Sequence, residues 1–235
     1  MALPKLNTSP SYECTIPSTG KKVSFRPYLV KEEKVLMMAM ETQDQKQALR
    51  AIVDTIDACI TSEGFQGKKL TTFDIEYLFT QIRSKSVGEV STILLRCESC
   101  DAQNEYEIDI SSVKVEAPNT ENVIELSDGV SVEMRYPMYE HVSKVNFTGK
   151  EIEIGFAMVG ACIQAVITGD ERIEADEVSK TEINEFLESM TQGQFKKLAD
   201  YLESLPALRH NAEYTCNKCG EENKQMLRGM SDFLS

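Results

Sequence analysis

The sequence predicts an α+β protein: a β-hairpin and helical bundle first, then a small β-region built around paired cysteines, then C-terminal helices. Three observations carry this expectation. Apolar residues recur at helical spacing in two stretches, 49–82 and 183–205. Short runs rich in β-branched residues follow Gly88, some alternating and bounded by turn residues. Two Cys-x-x-Cys pairs, Cys97–Cys100 and Cys216–Cys219, sit in similar settings, LLRCESCDAQNEYEI and AEYTCNKCGEENKQML.

In chain order, residues 12–28 read as a hairpin, with Tyr12 to Pro17 as one arm, Ser18 to Lys21 as the turn and Lys22 to Tyr28 as the return. A helix is expected from about Val30 to Thr42; its Leu36, Met37 and Met40 face either the core or a partner. Leu49, Ile52, Val53, Ile56 and Ile60 form the stripe of an amphipathic helix. After a loop at Glu63–Lys69, Thr71 and Asp74 suit a capping box before Ile75, Leu78, Phe79 and Ile82. Strands are expected over Val90–Arg96 and Glu105–Ile110, and a hairpin over Val123–Leu126 and Val130–Arg135 around Asp128-Gly129.

Residues 139–148 carry no clear pattern, and 151–168 read as one central, largely apolar helix. Gly169–Glu177 is acidic but lacks the central glycine and ligand order of a calcium loop, so a solvated linker is expected. Ser179 with Glu182, and Thr191 with Gln194, cap two further helices, the second stopped by Pro206. The expected division is 1–88, 89–137, 138–207 and 208–235, packed intimately as one unit.

Each cysteine pair has the spacing of a metal knuckle. Two intervening residues let both sulfurs point to one side of a turn, each roughly 2.3 Å from a Zn²⁺ ion. The residue after the second cysteine commonly needs positive φ; Gly220 supplies it freely and Asp101 tolerates it. Cys97, Cys100, Cys216 and Cys219 together make a closed, structural Cys₄ zinc set of zinc-ribbon type, joining distant stretches of chain. The competing reading, two redox dithiols, requires a following helix that neither pair has. His210 is an alternative fourth ligand. Cys14, Cys59 and Cys162 remain as packed free thiols, as expected in a reducing compartment.

The formal net charge of −13 opposes general nucleic-acid binding. The knuckles repeat that balance: Arg96, Arg209, Lys218, Lys224 and Arg228 are outnumbered by Glu98, Asp101, Glu105, Glu107, Glu213, Glu221 and Glu222. The N-terminal residues lack a signal-peptide core, and the most apolar run, Ile154 to Ile163, is too short to span a bilayer. Two histidines, no phosphate-cradling loop and no nucleophile elbow give an enzyme little to work with.

The segments PSTGKKVSFRPYLVKEEKVLMMAMET, TTFDIEYLFTQIRSKSVGE and CNKCGEENKQMLRGMSDFLS resemble the baseplate hub proteins of T4-like contractile-tailed bacteriophages. The resemblance covers most of the chain and is weakest over 111–180. It implies a hub subunit or hub assembly protein with no catalytic residues, made in the host cytoplasm and built into the tail baseplate. Its partners would be other baseplate hub or tail proteins, without a small-molecule substrate, nucleic acid or membrane. The alternatives are a transient chaperone of a hub or tape-measure protein, absent from the mature virion, and a zinc-ribbon module for nucleic acid. Candidate partner-binding residues are Arg26, Arg83 and Lys85, and Met226, Leu227, Met230, Phe233 and Leu234 near the C-terminus. That terminal segment either docks on a partner or folds back onto its own core.

Overall fold

A computed structural model describes residues 10–116 and 121–234. Tyr12–Thr15 (β1) and Lys22–Phe25 (β2) pair antiparallel. Val30–Glu41 (α1) starts where Glu32 accepts the Leu29 amide at 2.8 Å, and it buries only Glu32 and Leu36. Gln45–Cys59 (α2) is capped by Asp44, which accepts the amides of Lys46 and Gln47. Its expected stripe is buried at Ile52, Val53 and Ile56, and Ile60 takes the C-cap. Beyond α2 the chain pairs with the hairpin: Arg26 N–H donates to Cys59 O at 3.0 Å, and Thr61 N–H to Ser24 O at 2.8 Å.

Thr72–Ser86 (α3) buries Ile75, Leu78, Phe79 and Ile82. Its Asp74 is fully buried and reaches the hairpin turn, accepting Ser18 N–H at 2.9 Å and Ser18 Oγ–H at 2.5 Å.

Val90–Arg96 (β3) alternates strictly between exposed and buried positions and pairs antiparallel with Gln103–Asp109 (β4). Lys114–Glu116 (β5) follows. Then come Val123–Ser127 (β6), Val130–Met134 (β7), Tyr139–Val142 (α4), Glu151–Cys162 (α5), Ile163–Thr168 (β8) and Glu171–Glu174 (β9). Lys180–Glu188 (α6) and Gln192–Glu203 (α7) both begin with the expected capping boxes, on Ser179 and Thr191. Ala207–Thr215 (β10), Glu222–Arg228 (β11) and Met230–Leu234 (α8) complete the chain.

The fold is α+β, with sheets ordered β1-β2, β3-β4, β11-β10-β5 and β6-β7-β8-β9. It divides into two compact units. One comprises Met1–Gly67, Phe73–Glu116 and Ala207–Ser235; the other comprises Lys68–Thr72 and Ala117–Pro206. In the first, Ile93, Ile108, Ile110, Leu208, Leu227 and Phe233 share one apolar core. In the second, Val132, Met134, Val159, Ile163, Leu187 and Leu198 share another.

Two expectations are corrected. The single helix expected over 151–168 ends at Cys162, and Ile163 already has extended backbone, at φ −71° and ψ 126°.

 

The segment Ile163–Thr168 is rich in β-branched residues, and it forms a sheet ladder on both sides, with Val166 opposite Val132 and Ile173. Those two rows of backbone bonds outweigh the continuation of the helix through these six residues. The acidic stretch after Gly169 is likewise no linker. It forms β9, where Arg172 bridges Glu133 and Glu174 and so offsets the local negative charge.

Candidate metal centre

Both cysteine turns are closed by the same pair of backbone bonds. In the first, Asp101 N–H donates to Cys97 O at 3.0 Å and Cys97 N–H to Ala102 O at 2.9 Å. In the second, Gly220 N–H donates to Cys216 O at 2.9 Å and Cys216 N–H to Glu221 O at 2.8 Å. The chain reverses through a left-handed residue in each case, Asp101 at φ 55° and Gly220 at φ 79°. Each turn tips a regular hairpin, the last pairs being Arg96↔Gln103 in β3-β4 and Thr215↔Glu222 in β10-β11.

The two tips bring Cys97, Cys100, Cys216 and Cys219 together, with all four sulfurs within 4.8 Å of one another. Cys97 Sγ lies 3.6 Å from Cys219 Sγ, and Cys100 Sγ lies 3.7 Å from Cys216 Sγ. A disulfide would need about 2.05 Å. Four sulfurs placed tetrahedrally about 2.3 Å from an ion stand about 3.8 Å apart. The spacing therefore fits a shared metal ion and excludes a disulfide between either close pair.

The electrostatics agree. The amides of Cys219 and Lys218 pull the Cys216 thiol down to about 6. Burial opposes ionisation of Cys97, but the amides of Ser99 and Cys100 and the Asn223 carboxamide prevail and hold it below the ordinary thiol range. At Cys219 the Glu221 amide pulls downward, yet the crowding sulfurs of Cys100, Cys216 and Cys97 push the thiol up to about 12. Ionising one sulfur thus suppresses ionisation of another, a conflict that a central cation removes. Away from the cluster, burial pushes Cys14 and Cys59 up to about 11 and Cys162 up to about 12, as befits packed thiols.

Sequence reasoning passed over two residues of this site. Asn104 and Asn223 are buried, and each stands four positions after the second cysteine of its own turn. Asn104 Oδ1 accepts Asn217 N–H at 2.8 Å, and its Nδ2 donates to Ala102 O at 2.9 Å and Cys216 Sγ at 3.7 Å. Asn223 Oδ1 accepts Glu98 N–H at 3.0 Å, and its Nδ2 donates to Glu221 O at 2.9 Å and Cys97 Sγ at 3.6 Å. The shared pattern Cys-x-x-Cys-x-x-x-Asn was the available signal. His210, the alternative ligand, instead meets Tyr106 Oη at 2.9 Å.

The candidate partner residues fare differently from one another. Arg26 is turned inward, donating to Glu32 at 2.9 Å and to the carbonyls of Pro27 and Ala58. Lys85 pairs with Glu89 and lies 5.5 Å from the centre of the Tyr12 ring, while Arg83 is half-buried. Leu227 and Phe233 belong to the core of the first unit, so these two side chains fold back and are closed to a partner. Met226 is exposed and Met230 half-buried; the Leu234 side chain lies outside the described residues.

Residues 9–235 match a protein family described as T4 bacteriophage base plate protein. The chain belongs to that family of phage baseplate proteins. Searches of curated proteins and of solved structures give no match. Among the described residues, no helix is long and apolar enough to cross a membrane.

Proposed function

We propose that this chain is a non-enzymatic protein of the phage tail baseplate, acting at its hub, in which Cys97, Cys100, Cys216 and Cys219 hold a structural Zn²⁺. The observation that carries the zinc reading is the convergence of four sulfurs at tetrahedral spacing. Four thiolates close the coordination shell and leave no open position for a substrate, so the ion acts as a clasp. Membership of the baseplate family supports other tail proteins as partners. An exposed apolar surface on α1 supports the same reading: Val30, Met37 and Met38 are 78%, 61% and 59% exposed.

Two measurements test this. Elemental analysis of the purified chain should find one zinc per molecule, and its absence from protein kept reduced and free of chelator would remove the clasp. Quantitative mass spectrometry of purified tails and of assembly intermediates should find the chain at fixed copy number in both. Presence in intermediates alone would replace the hub subunit with a transient assembly chaperone.

A further inference from the structure

We propose that Asn104 and Asn223 are positioning residues of the metal centre, each orienting a thiolate of the opposite cysteine turn so that the two turns grip the ion as one unit. This rests on the metal reading above and adds to it the means by which the two halves are coupled. Each carboxamide spends one N–H on a carbonyl of its own turn and the other on a sulfur of the opposite turn. Its oxygen takes the amide that follows the first cysteine of that opposite turn. The two sets are reciprocal, Asn104 serving Cys216 and Asn217 while Asn223 serves Cys97 and Glu98.

The hairpins hold both asparagines at the same place. Asn104 is opposite Leu95 and Asn223 opposite Tyr214, each in the second pair from the tip. The chemistry requires a carboxamide. Aspartate would keep the accepting oxygen but set a negative oxygen against the sulfur, and alanine would remove donor and acceptor together. Four thiolates around a divalent ion leave a net charge of about −2, which N–H donors at the sulfurs offset in part. Outer partners of this kind are worth roughly 10–100-fold in metal affinity.

The test uses the full chain with Co²⁺ as a spectroscopic probe and Zn²⁺ in competition with a chromophoric chelator. Wild type is compared with N104A, N223A, N104D and N223D. Each variant should bind about 10–100-fold more weakly, with similar losses at the two positions. The sulfur-to-cobalt charge-transfer band should move to longer wavelength as each N–H donor is lost. The aspartate variants keep side-chain shape and decide the matter should the alanine variants fail to fold. Wild-type affinity and an unmoved band in both aspartate variants would overturn the inference, even with a lowered unfolding midpoint. A wild-type chain that binds neither ion removes the metal reading itself, and this inference with it.

Discussion

Stripping the ion from the centre should lower thermal stability by the free energy with which the folded chain alone binds it. The close sulfur pair Cys100–Cys216 spans 116 positions. The unfolded chain therefore holds no preformed site, and with free zinc about 1,000-fold above its dissociation constant, binding to the folded state alone stabilises it by about 4 kcal/mol. For a chain of this size each kcal/mol is worth about 2–4 °C, so removal should lower the midpoint by about 8–16 °C. The assay is a melt under reducing conditions, with and without a strong chelator, on wild type and Cys216→Ser. Wild type should fall on chelation; the variant should start low and ignore the chelator. Coincident melts for all four samples would refute the clasp, because the sulfur cluster would then contribute nothing beyond packing.

Three further outcomes follow from single residues. Phe233→Ala should cost about 3–5 kcal/mol by urea denaturation, whereas exposed Met226→Ala should stay within about 0.5 kcal/mol; equal effects would contradict the fold-back of α8. Asp74→Ala should cost about 1.5–3 kcal/mol, with Ser18→Ala losing part of the same stabilisation, and additive losses would show that the two do not interact. Burial raises the Glu76 carboxyl above the usual range, against the Met230 amide that it accepts. The native state therefore holds a proton that the unfolded state releases near pH 4.3, so this residue's stabilisation falls as pH rises through its folded pKa. Glu76→Gln should gain on wild type over that window, as read from urea midpoints between pH 4 and 7; a constant difference would refute it.

The helices were legible where local chemistry decides them. The stripe from Ile52 to Ile60, the Ser179–Glu182 and Thr191–Gln194 boxes and the stop at Pro206 are all short-range signals. Legibility failed at Ile163–Thr168, where an apolar run suits a buried helix or a buried strand equally and the neighbouring strands β7 and β9 decide. Glu171–Glu174 was opaque for a related reason: its charges are matched by Arg172 only once Glu133 lies alongside. The α1 methionines fit helical spacing, but spacing alone does not say which face is covered, and Met37 and Met40 prove exposed. At the site, the cysteines announced themselves through paired spacing. The asparagines did not, because a buried polar residue gains meaning only from the partner that satisfies it.

The topology explains why the two halves of the centre can lie so far apart in sequence. The chain leaves the first unit after β5 and re-enters it at β10, and these two strands pair directly, with Glu116 opposite Ala207 and Lys114 opposite Arg209. Residues 117–206 are thus an insertion whose ends are already held side by side by backbone bonds. From that anchored base β10 runs on to its own cysteine turn, and β3 runs to the matching one. The anchor fixes the ends of the insertion but makes no bond at either hairpin tip. The sulfur cluster and the crossed asparagines join tip to tip, beside Tyr214 Oη and Gln225 Nε2, which both donate to Arg96 O, so the ion's structural work is concentrated there.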